Sequence, residues 1–273
     1  MIDWRHWHNE PYLVGGLVFL GWLWAIAAGP LRAKLLRRAG VSPAEAETAP
    51  FPRAQAWQFY AALVTFYLAV GSPLDQIGER FLFSAHMLQH QLLIYPAAVL
   101  FLRGLPWWMV DAVLDRPALR GPVRLLTSLL GCGLIYTVVI GGWHAPFLYE
   151  WALQNKVVHV AEHVMFFGAG LFYWWPLLSP SRAFPRVSYA AQMVFLFAVL
   201  IGMTPVFAYI TFSDDILYPT YEYAPRLIAD FSPANDQLLA GVSMKLMGLS
   251  VALLAFGVSF YRWARTTHHV DAR

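Results

Sequence analysis

Residues 81–102 read FLFSAHMLQHQLLIYPAAVLFL, with no Asp, Glu, Lys or Arg in the run. About twenty mostly apolar residues in a row suffice to cross the hydrocarbon of a bilayer as a helix. Six other stretches have the same character: Tyr12 to Gly29, Trp57 to Leu74, Arg124 to Gly142, Val157 to Leu178, Ser188 to Phe212 and Gln237 to Trp263. The expected fold is therefore all-α, a polytopic membrane bundle of seven transmembrane helices. Pro30, Pro43, Pro50 and Pro52, then Pro106, Pro117 and Pro122, then Pro180 and Pro185, and finally Pro219, Pro225 and Pro233 punctuate the loops. Proline ends helices there by removing a backbone donor. No internal repeat and no soluble segment interrupts the pattern, so residues 1–273 read as a single integral membrane domain.

Composition supports this. Only 13% of the residues are charged and 59% are hydrophobic, where a soluble domain carries about a quarter charged. Mean hydropathy is +0.50. A chain this apolar cannot keep its surface out of contact with itself in water, so lipid must solvate the excess. Twelve Trp and thirteen Tyr suit the two interfaces of a bilayer. The net charge of +3 is spread over several loops. No basic block is present to track a phosphate backbone, so nucleic acid is not an expected partner. Cys132 is the single cysteine, which excludes an internal disulfide and paired-thiol chemistry and reads as packing. The small residues Ala25 and Ala27 offer a weak signal-peptidase site. Trp22 and Trp24 interrupt that stretch, and Arg32, Lys34, Arg37 and Arg38 follow it at once. A retained first helix is the expectation.

Basic residues set the orientation. Fourteen of the 19 Lys and Arg fall in the segments 30–56, 103–124, 179–187 and the tail from 262. The amino terminus is thus expected outside and the carboxyl terminus in the cytoplasm. Seven of the nine histidines then lie at the outer side: His6, His8, His86, His90, His144, His159 and His163. His268 and His269 fall in a polar, solvated tail on the inner side.

Ionisable groups inside a membrane are costly and need a partner or a task. His86 and His90 are four apart, so a helix presents both on one face, within roughly 15 Å of its outer end. His159-Val160-Ala161-Glu162-His163 repeats the spacing, and Trp143-His144-Ala145-Pro146 ends the preceding span on the same side. Paired imidazoles at this spacing can bind one metal ion, and the Met87 thioether is a ligand type suited to Cu(I). A lone interfacial histidine is an ordinary hydrogen-bonding anchor, whereas two pairs and His144 at one depth point to a metal or haem site. The order His-x-x-Glu-His matches the inverted zinc-protease arrangement, but no further ligand signature accompanies it. Met203, Met244 and Met247 read as packing, and Asp236, near a helix amino terminus, as a cap or dipole partner. Lys245 lies two turns into the last span, to snorkel outward or to pair with Asp75 or Glu162.

The run Phe83-Ser84-Ala85-His86-Met87-Leu88-Gln89-His90 resembles the signature of CtaG-type cytochrome c oxidase assembly factors, seven-helix bacterial membrane proteins. The likeness extends through Gly104-Leu105-Pro106, Trp143-His144-Ala145-Pro146, His159 with Glu162-His163, the stretch from Gly168 to Pro176, and Asp236-Gln237-Leu238-Leu239-Ala240-Gly241. It departs from the pattern at Lys245, which follows Met244. The resemblance implies a non-enzymatic role in maturing a haem–copper oxidase, in the bacterial plasma membrane, by handling copper for its active centre. It implies His86, Met87, His90, His144, His159 and His163 as metal ligands. The implied partners are the oxidase subunits and a soluble copper donor that passes Cu(I) from outside. A shallow set of His and Met ligands without thiolate would bind copper loosely enough to release it. His6 and His8, beside Trp4 and Trp7, read as a surface anchor or as the point where the ion arrives. The competing readings are a membrane cytochrome holding haem b between histidines of the third and fifth spans, a copper transporter, and a chaperone that needs no metal.

Overall fold

The computed structural model describes residues 4–5 and 7–271. His6 lies outside the described residues, as do the side chains of His268 and His269. The described chain is helical, with no strand. The elements that build the bundle are α1 (Pro11–Ala28), α2 (Arg53–Gly71), α3 (Pro73–Arg80), α4 (Phe83–Gly104), α5 (Leu129–Trp143), α6 (Pro146–Gln154), α7 (Lys156–Leu178), α8 (Tyr189–Phe212) and α9 (Pro233–Asp271). Among the described residues, Pro11–Ala28, Lys156–Leu178, Tyr189–Phe212 and Pro233–Thr267 are each long and apolar enough to cross a membrane. The number rises to six if α4 with Trp107–Leu114, bent by 88°, and Pro117–Leu126 with α5, bent by 65°, each count as one span. α2 has the length, but Gln55, Gln58 and Thr65 dilute its apolar character. The long helices turn large apolar side chains outward, Phe19 and Trp22 on α1, Phe197 on α8 and Leu254 on α9 among them. Such faces require lipid, and the chain is a membrane protein.

Local chemistry explains where the helices break. Ser72 takes an extended conformation before Pro73, as residues preceding proline do. The second expected span therefore stops at Gly71, and α3 starts as a separate short helix. Ser128 caps α5 by accepting from the Gly131 amide at 3.0 Å, which turns the chain out of the preceding helix. Asn155 caps α7 by accepting from Val157 and Val158. Inside α4, Leu93–Ala97 widens into a π-helical turn around Pro96. Proline has no amide to donate and crowds the preceding turn, and widening relieves both. The Ile94 carbonyl in this turn accepts from the Trp174 indole of α7 at 3.0 Å.

α4 is central and packs against α2, α7 and α9. Gly170 lets α7 approach the π-helical turn, because a Cβ there would stand 2.8 Å from Ile94 Cα and O. Gly78 does the same for α3 and α4, since a Cβ would lie 3.0 Å from His86 Cα and closer still to the Gln89 side chain. The start of α4 is held from a distance. Asp236 at the start of α9 accepts from the Phe83 amide at 2.6 Å and the Ser84 amide at 3.0 Å. A carboxylate at a helix amino terminus satisfies orphan donors and faces the positive end of the dipole. Asp236 thus has the helix-end role expected of it, and the helix whose amides it holds is α4. Gln237 accepts from Leu217 N and donates to Asp215 O, which folds the loop between α8 and α9 back over the same end of the bundle.

Two consequences can be measured. Asp236→Ala leaves two buried amides of α4 without an acceptor and should destabilise the protein by about 2–3 kcal/mol, with Asp236→Asn intermediate. An unchanged denaturation midpoint in detergent would contradict the cap. Gly78→Ala should lower stability by about 1–3 kcal/mol through overpacking, whereas Gly15→Ala, whose Cβ meets nothing within 4 Å, should leave the thermal midpoint level or slightly raised.

Candidate metal centre

α4 and α7 bring His86, His90, His159 and His163 together at one end of the bundle, with Glu162 among them. Ring centroids stand 4.4 Å apart for His86 and His90, 4.3 Å for His159 and His163, and 5.4 Å for His86 and His163. All five side chains are buried. His86, His159 and His163 can each offer one ligand atom with mutual separations within 4.8 Å, and so can His86, His90 and Glu162. The spacing His-x-x-x-His does this on each helix separately, and the close approach at Gly170 joins the two pairs.

The hydrogen bonds around the rings decide which nitrogen is free. Tyr221 donates its hydroxyl proton to Gly78 O at 2.8 Å. Its oxygen is then only an acceptor for His86 Nδ1 at 3.2 Å and for the Tyr149 hydroxyl at 3.1 Å. His86 accordingly carries its proton on Nδ1 and keeps a lone pair on Nε2. That Nε2 accepts a hydrogen bond from His90 Nε2–H at 2.9 Å, a proton that His90 would give up on binding an ion. Two nitrogens bound cis to one metal at about 2.0 Å each stand roughly 2.9–3.3 Å apart, so the pair has the separation a shared ion requires. His159 donates Nδ1–H to Glu79 at 2.7 Å, and its buried Nε2 has no hydrogen-bond partner. A metal-binding imidazole is ordinarily oriented in this way, one nitrogen on an oxygen acceptor and the other on the ion.

Glu162 has the least settled environment. Both carboxyl oxygens are buried without a hydrogen-bond partner among the described residues, and they stand 3.7 Å from His86 Nε2 and 3.8 Å from His90 Nε2. These distances are too long for hydrogen bonds. A buried carboxylate without donors is unstable as an anion, and a cation seated among these nitrogens would remove the penalty.

The other two expected ligands stand aside. His144 donates Nδ1–H to Ile140 O at 2.6 Å, and its Nε2 is buried and unpartnered. Its ring is 6.4 Å from that of His90, and the Phe166 ring stacks on His90 at 3.7 Å. Met87 packs with Phe83, Tyr149, Ile210, Tyr218, Tyr221 and Ala240. Met87, His90 and His144 border a cavity of about 80 Å³, together with Met203 and Met244. Lys245 donates to Thr204 Oγ1 at 3.0 Å, so neither Asp75 nor Glu162 is its partner. Cys132 is buried in the core, as the packing reading expects.

Sequence reasoning missed Glu79 and Tyr221. Glu79 lies four residues after Asp75, a spacing that puts both on one helical face, so a signal was present. Tyr221 lies in Pro219–Glu222, a short helix within an irregular loop, where no periodicity could mark it. Outside the spans, Glu79 is held below the usual carboxylate range. Burial pushes its carboxyl up, and the hydrogen bond from His159 with the positive charge nearby pulls it down further.

The comparisons bear on this geometry. No match was found to the chain among curated proteins or among solved structures. The family described as cytochrome c oxidase caa3 assembly factor (Caa3_CtaG) matches residues 14–266, a stretch that takes in every residue of the buried cluster. With nearly the whole length matched in one continuous alignment, the chain belongs to the cytochrome c oxidase caa3 assembly factor family.

Proposed function

We propose that this protein binds copper in the His86, His90, His159, His163 and Glu162 cluster and delivers it to a haem–copper oxidase during assembly, without catalysing a reaction. The observation that carries the reading is a buried set of imidazoles whose nitrogens converge around an unpartnered carboxylate, in a chain of an oxidase assembly family. Copper is cargo here. Imidazole nitrogen suits it, and the lack of thiolate keeps the complex weak enough to hand on. The cluster's own donors are nitrogen and oxygen, enough for a divalent ion. A monovalent ion would draw on the thioethers of Met87 or Met244 at the flanking cavity. The release partner in this reading is an oxidase subunit, and the donor a soluble copper carrier.

The same reading takes α2 as a seventh span, the amino terminus as outside and the bacterial plasma membrane as the location. The basic residues gathered at the end opposite the histidines support that orientation. An ion is favoured over haem b because the imidazoles touch one another. Axial ligands of a haem lie on opposite faces of the macrocycle, and rings 4.3–5.4 Å apart leave no slot for it. Transport is disfavoured because the clustered donors lie at one end, and the other half offers little beyond Cys132.

Metal analysis tests the reading. Purified protein loaded with copper should retain about one ion per chain in the buried cluster, and His86→Ala with His90→Ala should abolish that retention. Cells carrying the double variant should make oxidase deficient in copper. Retention by the variant of as many copper equivalents as the wild type holds, or a Soret band in the wild type, would remove the proposal. Tyr221→Phe takes the acceptor from His86 Nδ1 and should weaken copper binding about ten- to a hundredfold in a chelator competition titration.

A further inference from the structure

A second group of donors lies beside the buried cluster and touches it through Glu79. His8 precedes α1, and its amide donates to Gly71 O at 2.8 Å, which pins the amino-terminal segment against the end of α2. Its Nδ1 pairs with Asp75 Oδ2 at 2.6 Å. The other Asp75 oxygen accepts from Gln89 Nε2 at 2.7 Å. Glu79 stands one turn further along α3, and one ligand atom from each of His8, Asp75 and Glu79 lies within 4.8 Å of the others. The His8 and Glu79 side chains are 14% and 23% exposed, against 0% for His86 and Glu162. This group is thus the shallower of the two.

Three observations point to an ion there. Two carboxylates held this close repel each other, and a cation between them would relieve that repulsion. All three residues line a crevice of about 470 Å³ between α1, α2 and α7, and His159 and His163 of the buried cluster line the same crevice. Among the described residues, the buried Nε2 atoms of both these histidines have no hydrogen-bond partner. The two groups also share a contact, because Glu79 accepts from the Nδ1–H of His159.

We propose that His8, Asp75 and Glu79 form a second, outer site for a divalent cation of borderline softness, such as Cu(II), one exchange step away from the buried imidazoles. One nitrogen and two carboxylate oxygens bind such an ion less tightly than an imidazole-rich set does, so occupancy runs inward. Glu79 serves both sites, as a ligand outside and as the anchor of His159 inside. No redox change is involved: the ion exchanges carboxylate for imidazole ligands. The direction of transfer rests on the copper reading given above, whereas the existence of the outer site does not.

The test uses Cu(II) as the probe, full-length protein in detergent, equilibrium titration and electron paramagnetic resonance. Wild type should take up two separable equivalents. His8→Ala should weaken the second by at least about tenfold and leave the first unchanged. The backbone bond from residue 8 to Gly71 persists in that variant, and an unshifted thermal midpoint certifies its fold. His86→Ala with His90→Ala should keep the outer equivalent, with a spectrum of one coupled nitrogen. A single equivalent that is lost in the double variant and indifferent to His8→Ala overturns the outer site and leaves the buried one standing. A single equivalent lost in His8→Ala and retained in the double variant does the reverse.

Discussion

An imidazole placed in an apolar interior gains by having one nitrogen hydrogen-bonded, and the choice of nitrogen decides what the other can do. His86, His144 and His159 each commit Nδ1, to Tyr221, to Ile140 O and to Glu79 respectively. Much of the architecture at this end of the bundle serves those commitments. Gly78 lets α3 press against α4 so that Glu79 reaches α7, and its carbonyl takes the Tyr221 proton. The loop between α8 and α9 is drawn over the cluster by Gln237, by Tyr218 donating to His144 O, and by Glu150 accepting from Thr220.

The distant anchor is as necessary as the near one. Asp236 grips the first two amides of α4 across 152–153 positions of sequence, which sets the depth of His86 and His90 relative to α9. The Trp174 indole on the Ile94 carbonyl sets α4 against α7 at the π-helical turn. Between these fixed points the imidazoles have little freedom to separate, even though Glu162 among them finds no hydrogen bond. A buried group left so calls for a compensating partner, and a cation among the convergent nitrogens is the one that the proposed function supplies.

The cluster also lies between two different cavities. On the side of α1 and α2 the crevice begins with carboxylates and His8. Toward α8 and α9 the smaller cavity is walled by Met87, Met203, Met244 and aromatic rings, with Lys245 at its margin. Oxygen donors on one flank and sulphur donors on the other give the imidazole set two chemically distinct neighbourhoods. On the proposed function, that asymmetry would let reception and release of the ion use different surfaces.

Much of this was legible in the sequence. Long uncharged runs demand lipid whatever their packing, and four of them emerge as continuous helices. The i, i+4 spacings of His86 with His90 and of His159 with His163 guarantee a shared face on each helix. The family signature added that these faces act together. Breaks at Ser72-Pro73 and Thr127-Ser128 interrupted spans that apolar content alone would have run straight through, because hydropathy carries no information on capping or on the residue before proline. Tertiary structure alone decided that Met87 and His144 flank the cluster instead of joining it, that Asp236 caps α4, that Lys245 rests on Thr204, and that Glu79 reaches His159. Each of these depends on which helix lies opposite and at what height. Such relations are set by close approach at Gly78 and Gly170 and by hydrogen bonds between residues far apart in the chain, and periodicity along a single helix is blind to both.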